Sequence, residues 1–286
     1  MIINKNVDLS KMTTFHIGGI AKKLYIPESV EELVELLKKL SDEDYYIISG
    51  GSNLLINDKK EYKNVISMKK TDCSIKYLEN SMFYVGCSNR IQKVINETNK
   101  LEYGGFEELY GLPALFGGIV YMNAGIGPEK NSLFTISDFI VRVKVYDKET
   151  KKIIWLDKNQ CNFSHRNSVF HDNQYVIIGA EIKLNKQTLK ISQERINKRL
   201  LKCKQEHEWG KGCFGTCFSH CNRKLLKVLS LFNRKNKKVY QSSNNCNWLV
   251  NGGEGTYEDA IKIIERAKKI HKLFHKKIKC EIIIWK

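Results

Sequence analysis

From position 50 the chain reads Gly50-Gly51-Ser52-Asn53-Leu54-Leu55-Ile56, and this stretch indicates how the first part of the molecule is built. It follows the apolar run Tyr45 to Ser49, so the pattern predicts a strand, a glycine turn and a second buried segment. Glycines let backbone approach a ligand closely, and successive N–H groups with the Ser52 hydroxyl can point at phosphate oxygens. The loop is therefore either a pyrophosphate cradle or an ordinary turn.

A second glycine-rich tract lies in the middle of the chain. It reads Gly111-Leu112-Pro113-Ala114-Leu115-Phe116-Gly117-Gly118-Ile119-Val120-Tyr121-Met122-Asn123-Ala124-Gly125. Apolar side chains among glycines can press backbone against a flat aromatic ring, while the alternative is a tight bend between packed elements. Two such tracts in one chain favour a dinucleotide ligand.

Two other patterns carry less weight. The string from Gly210 to Gly215 matches the dinucleotide fingerprint by its letters, but it follows a polar segment and not a strand, so it is not interpreted as a Rossmann motif. Cys213, Cys217 and Cys221 recur every four residues without the CxxC spacing of common zinc sites, and no metal site is predicted.

Helix caps and periodicity predict the remaining elements. Ser29-Val30-Glu31-Glu32 and Thr256-Tyr257-Glu258-Asp259 have capping-box spacing and precede amphipathic helices. A polar, basic helix is predicted over residues 187–205, with a domain boundary near residue 187. Strands are predicted at 83–86, 139–146, 175–184 and 280–284.

Alternation supports the second of these strands. Val141, Val143 and Val145 alternate with Arg142 and Lys144, as expected of a half-buried strand.

Composition limits the class of protein. The 286 residues suggest two or three packed units. The N-terminus lacks the apolar region of a signal peptide, no window is long enough for a membrane span, and the cysteine count of nine is odd, so a cytoplasmic protein with reduced thiols is expected. The net charge of +17 is spread along the chain without a recognition module, so nucleic acid is not an expected partner.

Several motifs in order along the chain carry a family resemblance. The motifs are Thr13-Thr14-Phe15-His16-Ile17-Gly18-Gly19, the stretch from Gly50 to Asp58, the tract from Gly111 to Gly125, Phe163-Ser164-His165-Arg166-Asn167-Ser168-Val169-Phe170, Gly215-Thr216-Cys217-Phe218, Ser242, Asn247-Trp248-Leu249-Val250-Asn251 and Glu281. With these motifs the chain resembles the MurB family of UDP-N-acetylenolpyruvoylglucosamine reductases, in the compact subclass, most clearly over residues 1 to about 185.

The resemblance implies an α+β fold with vanillyl-alcohol-oxidase-like (PCMH-type) FAD-binding domains and a C-terminal α+β substrate domain. The expected division is 1–66 and 67–187 for the two FAD-binding subdomains and 188–286 for the substrate domain. A monomer is expected, with a small-molecule UDP-sugar and NADPH as ligands and no membrane partner.

The resemblance also implies a reaction. FAD accepts a hydride from NADPH and passes it to C3 of UDP-N-acetylglucosamine enolpyruvate, and a protein acid then protonates C2 to give UDP-N-acetylmuramate, a peptidoglycan precursor. Arg166 matches the family arginine that faces the substrate carboxylate, where a fixed cation stabilises charge developing in the transition state. Glu281 matches the catalytic glutamate.

The binding residues follow from the same motifs. The implied FAD-binding positions are Gly50, Gly51, Ser52, Asn53, Leu54, Gly111, Pro113, Gly117, Gly118, Asn123, Gly125 and Ile178. The implied substrate-binding positions are His165, Ser242, Asn245 and Asn247.

The chain departs from the family pattern near the reaction. Thr216 replaces the serine proton donor, His165 a tyrosine and Asn245 a histidine. Cys217 offers a more acidic proton than Thr216, so either residue is a candidate donor. If side chains alternate here, Thr216 and Phe218 share a face and Cys217 points away.

These departures leave two alternatives to the reductase. One is an FAD-dependent oxidoreductase of the same fold with another substrate, in an oxidase or tailoring role. The other is a flavin-binding protein without turnover.

Overall fold

The structure is a computed structural model that describes residues 1–127, 134–208, 210–232 and 238–286. The α-helices in these ranges are α1 (Val30–Lys39), α2 (Ile91–Lys100), α3 (Phe116–Tyr121), α4 (Leu189–Glu206), α5 (Arg223–Phe232) and α6 (Tyr257–Leu273). The strands are β1 (Ile2–Asp8), β2 (Ile20–Ile26), β3 (Tyr46–Ile48), β4 (Leu54–Ile56), β5 (Glu61–Ser67), β6 (Ile75–Tyr77), β7 (Met82–Gly86), β8 (Tyr103–Gly104), β9 (Gly125–Ile126), β10 (Phe134–Thr135), β11 (Ile140–Asp147), β12 (Lys152–Asp157), β13 (Tyr175–Lys183), β14 (Asn185–Lys186), β15 (Gly212–Thr216), β16 (Phe218–His220), β17 (Val239–Gln241), β18 (Trp248–Asn251), β19 (Lys279–Cys280) and β20 (Ile283–Trp285). None of the helices described is long and apolar enough to cross a membrane.

The chain divides into two compact units. Residues 1–4, 23–50 and 63–201 form the first unit, and residues 5–22, 51–62 and 202–286 form the second. The division therefore passes between Gly50 and Gly51 and through helix α4. The three-domain division expected from the family resemblance stays a prediction.

The first unit is built on an antiparallel sheet of order β12-β11-β13-β7-β6. In β11 the predicted alternation holds for Val143 and Val145, which are fully buried, and for Arg142 and Lys144, which are partly exposed. Val141 is exposed and leaves this series, because a register shift interrupts the start of the pairing with β13. Strands β3 and β5 pair in parallel, and their apolar residues join those of α1, α2 and the sheet in one core.

Both predicted helix caps are present, but only the one at Thr256 is a complete capping box. The Ser29 hydroxyl accepts a hydrogen bond from Glu32 N at 3.2 Å at the start of α1. At the start of α6 the Thr256 hydroxyl accepts one from Asp259 N at 3.2 Å, while Asp259 Oδ2 accepts one from Thr256 N at 3.2 Å. Each cap satisfies backbone donors that the first helical turn leaves without partners.

The second unit combines an antiparallel sheet with two short strand pairs. The sheet has the order β15-β18-β17, β16 pairs with β19, and β20 pairs in parallel with β4 so that Ile284 faces Leu55. Helices α5 and α6 bury their apolar faces in a second core, which includes Phe15, Leu226 and Ile264. Strand β15, which carries Thr216, and strand β19, which directly precedes Glu281, both pack against this core.

The end of the chain differs from the single strand predicted over residues 280–284. Strands β19 and β20 are separate, because the chain changes partners between them. Glu281 N donates to Cys217 O at 2.8 Å, whereas Ile283 N donates to Asn53 O at 3.0 Å. Glu281 therefore lies between two strands and not at the entrance of one.

Candidate active site

In the first unit, Gly50 packs against the second glycine tract. A Cβ atom at Gly50 would lie 3.1 Å from Leu115 N, 3.2 Å from Ala114 Cα and 3.4 Å from Pro113 O. Contacts at the short end of this range leave little room for a side chain. The glycine therefore allows two stretches that are distant in sequence to meet.

Ser49, directly before this glycine, was not among the predicted site residues. Its Oγ is buried and has no hydrogen-bond partner in the described part of the chain. A Cβ at Gly118 would lie 3.2 Å from Ser49 Oγ, so the hydroxyl faces the start of helix α3. A buried hydroxyl without a partner costs free energy that a bound polar ligand recovers.

The tract from Gly111 to Gly125 is partly helical. Gly111 ends a 3-10 helix, Pro113 is exposed, and Gly117 and Gly118 lie within α3. A short helix therefore forms the centre of the tract. Of the other predicted flavin positions, Ile178 is fully buried in β13.

Asn123 and Gly125 close the tract. Asn123 is buried with φ +42°, its Nδ2 donates to Ser164 O at 2.9 Å, and its Oδ1 accepts from Ser137 N at 3.2 Å. A Cβ at Gly125 would lie 2.2 Å from Phe134 O, which only glycine can avoid. Asn123 thus ties the tract to the segment that carries Arg166.

Arg166 lies in a tight turn and reaches the tract. Ser164 and Asn167 exchange backbone hydrogen bonds of 3.0 and 3.2 Å across the turn. Arg166 has φ +52°, a conformation that costs a non-glycine residue roughly 1–2 kcal/mol. Its Nη2 donates to Gly125 O at 2.7 Å and its Nη1 to Asn123 O at 3.5 Å. The carbonyls orient the planar guanidinium, and His165 beside it is half-buried.

Under the reaction that the family resemblance implies, Arg166→Lys is expected to lower substrate turnover by about tenfold to a hundredfold while flavin content stays normal. A point charge does not reproduce a planar fork aimed at a carboxylate, and a hydrogen bond to a charged group contributes roughly 1.5–3 kcal/mol. Stopped-flow absorbance would measure the two half-reactions separately.

The matched control is Arg142→Lys in the same unit. Arg142 makes a bidentate pair with Glu181 at 2.7 and 2.8 Å on an exposed side chain, and its loss should leave turnover unchanged. Equal slowing of NADPH oxidation and substrate reduction in Arg166→Lys would assign Arg166 a structural or nucleotide-binding role.

In the second unit, Gly51 takes a conformation that requires glycine. It has φ +66°, and a Cβ there would lie 2.0 Å from Met12 O. Gly51 O accepts from Thr14 N at 3.1 Å, and Thr14 Oγ1 is a second buried hydroxyl without a partner in the described ranges. Ser52 is half-buried. Thr14 belongs to the Thr13–Gly19 motif but was not predicted as a site residue.

Asn53 joins this loop to the C-terminal catalytic candidate. Its Nδ2 donates to Glu281 O at 3.1 Å, and Glu281 N donates to Cys217 O at 2.8 Å. Leu54 begins strand β4 directly afterwards. Three segments that are far apart in sequence therefore meet at Glu281, which is half-buried.

Thr216 and Cys217 differ in their surroundings. Gly215 has φ +77°, and among the described residues nothing lies within 4 Å of a Cβ built there, so the chain borders open space just before half-buried Thr216. Cys217 is 1% exposed in the apolar core, and burial raises the pKa of its thiol well above the usual range. The expected alternation is wrong, because a bend at Cys217 leaves both Cys217 and Phe218 buried.

Three of the four predicted substrate residues, Ser242, Asn245 and Asn247, lie in the segment between β17 and β18 of the second unit, whereas His165 lies in the first unit. Asn247 is buried, its Oδ1 accepts from Phe218 N at 3.0 Å, and its Nδ2 donates to Phe218 O at 2.8 Å. Asn245 Oδ1 accepts from Asn247 N at 3.1 Å, and the buried Ser242 Oγ accepts from Asn244 N at 3.2 Å. These bonds hold the backbone that follows Thr216. Their role toward a substrate stays a prediction.

Comparison with known proteins places this geometry in a family context. No family model matches the chain. The chain is 29% identical to UDP-N-acetylenolpyruvoylglucosamine reductase of Thermotoga sp. strain RQ2, over 97% of this chain and 91% of that one. It is 26% identical to the relative of the same name from Fusobacterium nucleatum subsp. nucleatum, over 99% of both. The crystal structure of UDP-N-acetylenolpyruvylglucosamine reductase (MurB) from Thermus caldophilus matches with a TM-score of 0.79 at 21% identity over 100% of both chains, which shows a shared fold of mixed α and β structure. The resemblance to the MurB family is confirmed.

Proposed function

We propose that the chain is an FAD-dependent, NADPH-using reductase, because it is similar over nearly its whole length to UDP-N-acetylenolpyruvoylglucosamine reductases. The substrate is UDP-N-acetylglucosamine enolpyruvate and the product is UDP-N-acetylmuramate for peptidoglycan synthesis. The observation that carries the proposal is the meeting of Asn53, Cys217 and Glu281, because it unites three family motifs beside Thr216.

The residues fit FAD. In the first unit, Ser49 Oγ is a buried donor without a described partner and Gly118 leaves space in front of it. In the second unit, Thr14 Oγ1 is a similar donor next to Gly51. Hydroxyls and backbone N–H groups beside glycines suit pyrophosphate oxygens, which supports a PCMH-type binding mode. FAD would supply the ring that takes up and delivers a hydride.

The chain's own residues would control charge and protons. The Arg166 guanidinium, oriented by Gly125 O and Asn123 O, would bind the substrate carboxylate most strongly as negative charge develops on it. The Thr216 hydroxyl would deliver the proton to C2. Glu281, whose backbone is fixed by Asn53 and Cys217, would hold or relay a proton through its carboxyl group.

One observation supports a second candidate, an FAD-dependent oxidoreductase with another substrate. The amide of Asn247 bonds to the backbone of Phe218 through both its oxygen and its nitrogen, and Asn245 Oδ1 accepts from the backbone of Asn247. Amides engaged in this way have less capacity to bind a UDP-sugar.

A single assay separates the candidates. The purified protein is tested for a flavin spectrum, and NADPH oxidation is followed with and without the enolpyruvyl nucleotide. Substrate-dependent oxidation supports the reductase. Bleaching by NADPH without response to the nucleotide supports the second candidate, and absence of a reducible flavin supports a protein without turnover.

Ser49→Ala is expected to raise the FAD dissociation constant about fivefold without destabilising the protein stripped of flavin. Removing a hydroxyl that has no partner in the stripped protein loses no internal hydrogen bond, whereas one ligand hydrogen bond contributes about 1 kcal/mol. FAD titration and thermal melts measure the two effects. Ser67→Ala is the matched control, since its hydroxyl is also buried and without a described partner but lies on β5. Equal FAD affinity in Ser49→Ala and the wild type would remove Ser49 from the cofactor site.

Glu281→Gln is expected to slow substrate reduction by about tenfold to a hundredfold, because an amide does not hold or relay a proton as the carboxyl group would. Each tenfold corresponds to about 1.4 kcal/mol of transition-state stabilisation. The amide keeps the shape of the side chain, so its backbone bonds to Asn53 and Cys217 should persist. Rapid mixing of reduced enzyme with substrate measures the step. An unchanged rate would exclude Glu281 from the reaction.

A further inference from the structure

Cys217 and Cys280 lie on neighbouring segments of the second unit. Cys280 ends β19 and faces Phe218 in the pairing with β16, and the next residue, Glu281, donates from its N to Cys217 O at 2.8 Å. The Cys217 thiol belongs to the apolar core and the half-buried Cys280 side chain packs against it. The thiols are therefore close neighbours although 63 positions separate them in sequence.

The two thiols have different chemical character. Cys217 donates a hydrogen bond to Cys280, which lowers the pKa of the Cys280 thiol, and the nearby Lys268 ammonium lowers it further. Burial raises the pKa of Cys217. Cys280 is half-buried and Cys217 is 1% exposed, so a reagent from solvent reaches Cys280 first and Cys217 is the resolving member. In the described ranges no group of three His, Cys, Asp or Glu side chains is arranged to hold a metal ion.

We propose that Cys217 and Cys280 form a reversible disulfide that switches off the adjacent catalytic residues. The Cys280 thiolate attacks a low-molecular-weight disulfide, forming a mixed disulfide and releasing one small thiolate. This thiolate takes the proton of Cys217, which attacks the Cys280 sulfur and releases the second small thiolate, and the latter takes up the proton that Cys280 had lost. In balance, two protein thiols are oxidised and one small disulfide is reduced to two thiols. The reaction brings the two sulfurs to the ~2.0 Å of a disulfide, and the pairing of the two segments places the cysteines near enough for this.

The expected consequence rests on the proposed function. Thr216 directly precedes Cys217, and Glu281 directly follows Cys280. Pulling the sulfurs together shifts both backbones, and displacements of about 1 Å can cost a hundredfold in rate. Oxidation should therefore inhibit the substrate half-reaction and leave flavin content unchanged.

The test treats the flavin-loaded protein with glutathione disulfide without denaturant. The result expected is the loss of two of the nine thiols, a proteolytic peptide pair linked through Cys217 and Cys280, and at least a tenfold fall in substrate reduction that dithiothreitol reverses. Cys280→Ser should keep its basal activity and resist inhibition. Cys246→Ser, which removes another half-buried thiol that packs against the same core, is the matched control and should remain sensitive.

The disulfide is detected through the linked peptide pair, without an activity assay. The proposed disulfide and the proposed reductase function can therefore be disproved independently of each other. A protein that forms the Cys217–Cys280 linkage but never reduces the enolpyruvyl nucleotide overturns the proposed reductase and with it the inhibitory effect, not the disulfide. Retention of all thiols, glutathione adducts alone, or a linkage between two other cysteines in place of Cys217 and Cys280 overturns the disulfide. A linked protein with undiminished turnover overturns the switch.

Discussion

Gly51→Val is expected to produce protein that carries no FAD and melts at a lower temperature than the wild type. Gly51 has φ +66°, which a β-branched residue does not tolerate, and its new Cβ would lie 2.0 Å from Met12 O and 3.0 Å from Thr13 Cα. Both of these atoms belong to the backbone, so they do not swing aside as the end of a side chain would. The loop must therefore move away from the Thr14 hydroxyl, which supports the proposed cofactor site. Flavin absorbance per protein and thermal melts measure the two effects.

The control for this prediction is Gly210→Val in the same unit. Gly210 has φ +78°, but no described atom lies within 4 Å of a Cβ built there. Valine at Gly210 therefore adds conformational strain of roughly 1–2 kcal/mol without a backbone collision, and FAD should be retained. Wild-type flavin occupancy in Gly51→Val would show that the loop is only a turn. Loss of flavin from both variants would indicate general instability.

Local rules predicted the elements that depend on local interactions. The caps at Ser29 and Thr256 occur as expected, because a side-chain oxygen three residues before a backbone N–H can bond to it in any helix. The exposure of Val141 was not predictable, since it depends on pairing between β11 and a strand far along the chain. The same reason explains why the strand predicted over residues 280–284 is interrupted at Glu281. The backbone before and after this interruption bonds to two segments that are distant in sequence.

The candidate site shows a similar limit. Motif order identified Asn53, Cys217 and Glu281 through the family resemblance, but no spacing rule predicts that these three meet through hydrogen bonds. Ser49 was missed because a serine before two glycines is an ordinary sequence, and only burial without a partner distinguishes its hydroxyl. Both observations depend on packing between residues that are distant in sequence, which local sequence patterns do not predict.

The choice of proton donor depends on the surroundings of Thr216 and Cys217. Cys217 is the more acidic type of side chain in water, yet it is 1% exposed in an apolar core, and burial raises its pKa. Thr216 is half-buried and follows Gly215, which borders open space. A general acid must come within hydrogen-bonding distance of the atom that it protonates, so access favours Thr216.

Thr216→Val is expected to slow substrate reduction by ~10²–10⁴-fold, the range typical of a lost general acid, because valine keeps the shape of threonine without its hydroxyl. Thr216→Ser, which keeps the hydroxyl and removes the methyl group that restricts χ1, should retain or raise turnover. Rapid mixing of reduced enzyme with the enolpyruvyl nucleotide measures the step, and NADPH oxidation in its absence serves as the internal control that should not change. Should Cys217→Ala abolish substrate reduction while Thr216→Val does not, the thiol is the acid. If both variants react at the wild-type rate, the proton comes from solvent or from another side chain, and the enolpyruvyl reaction itself must be tested again.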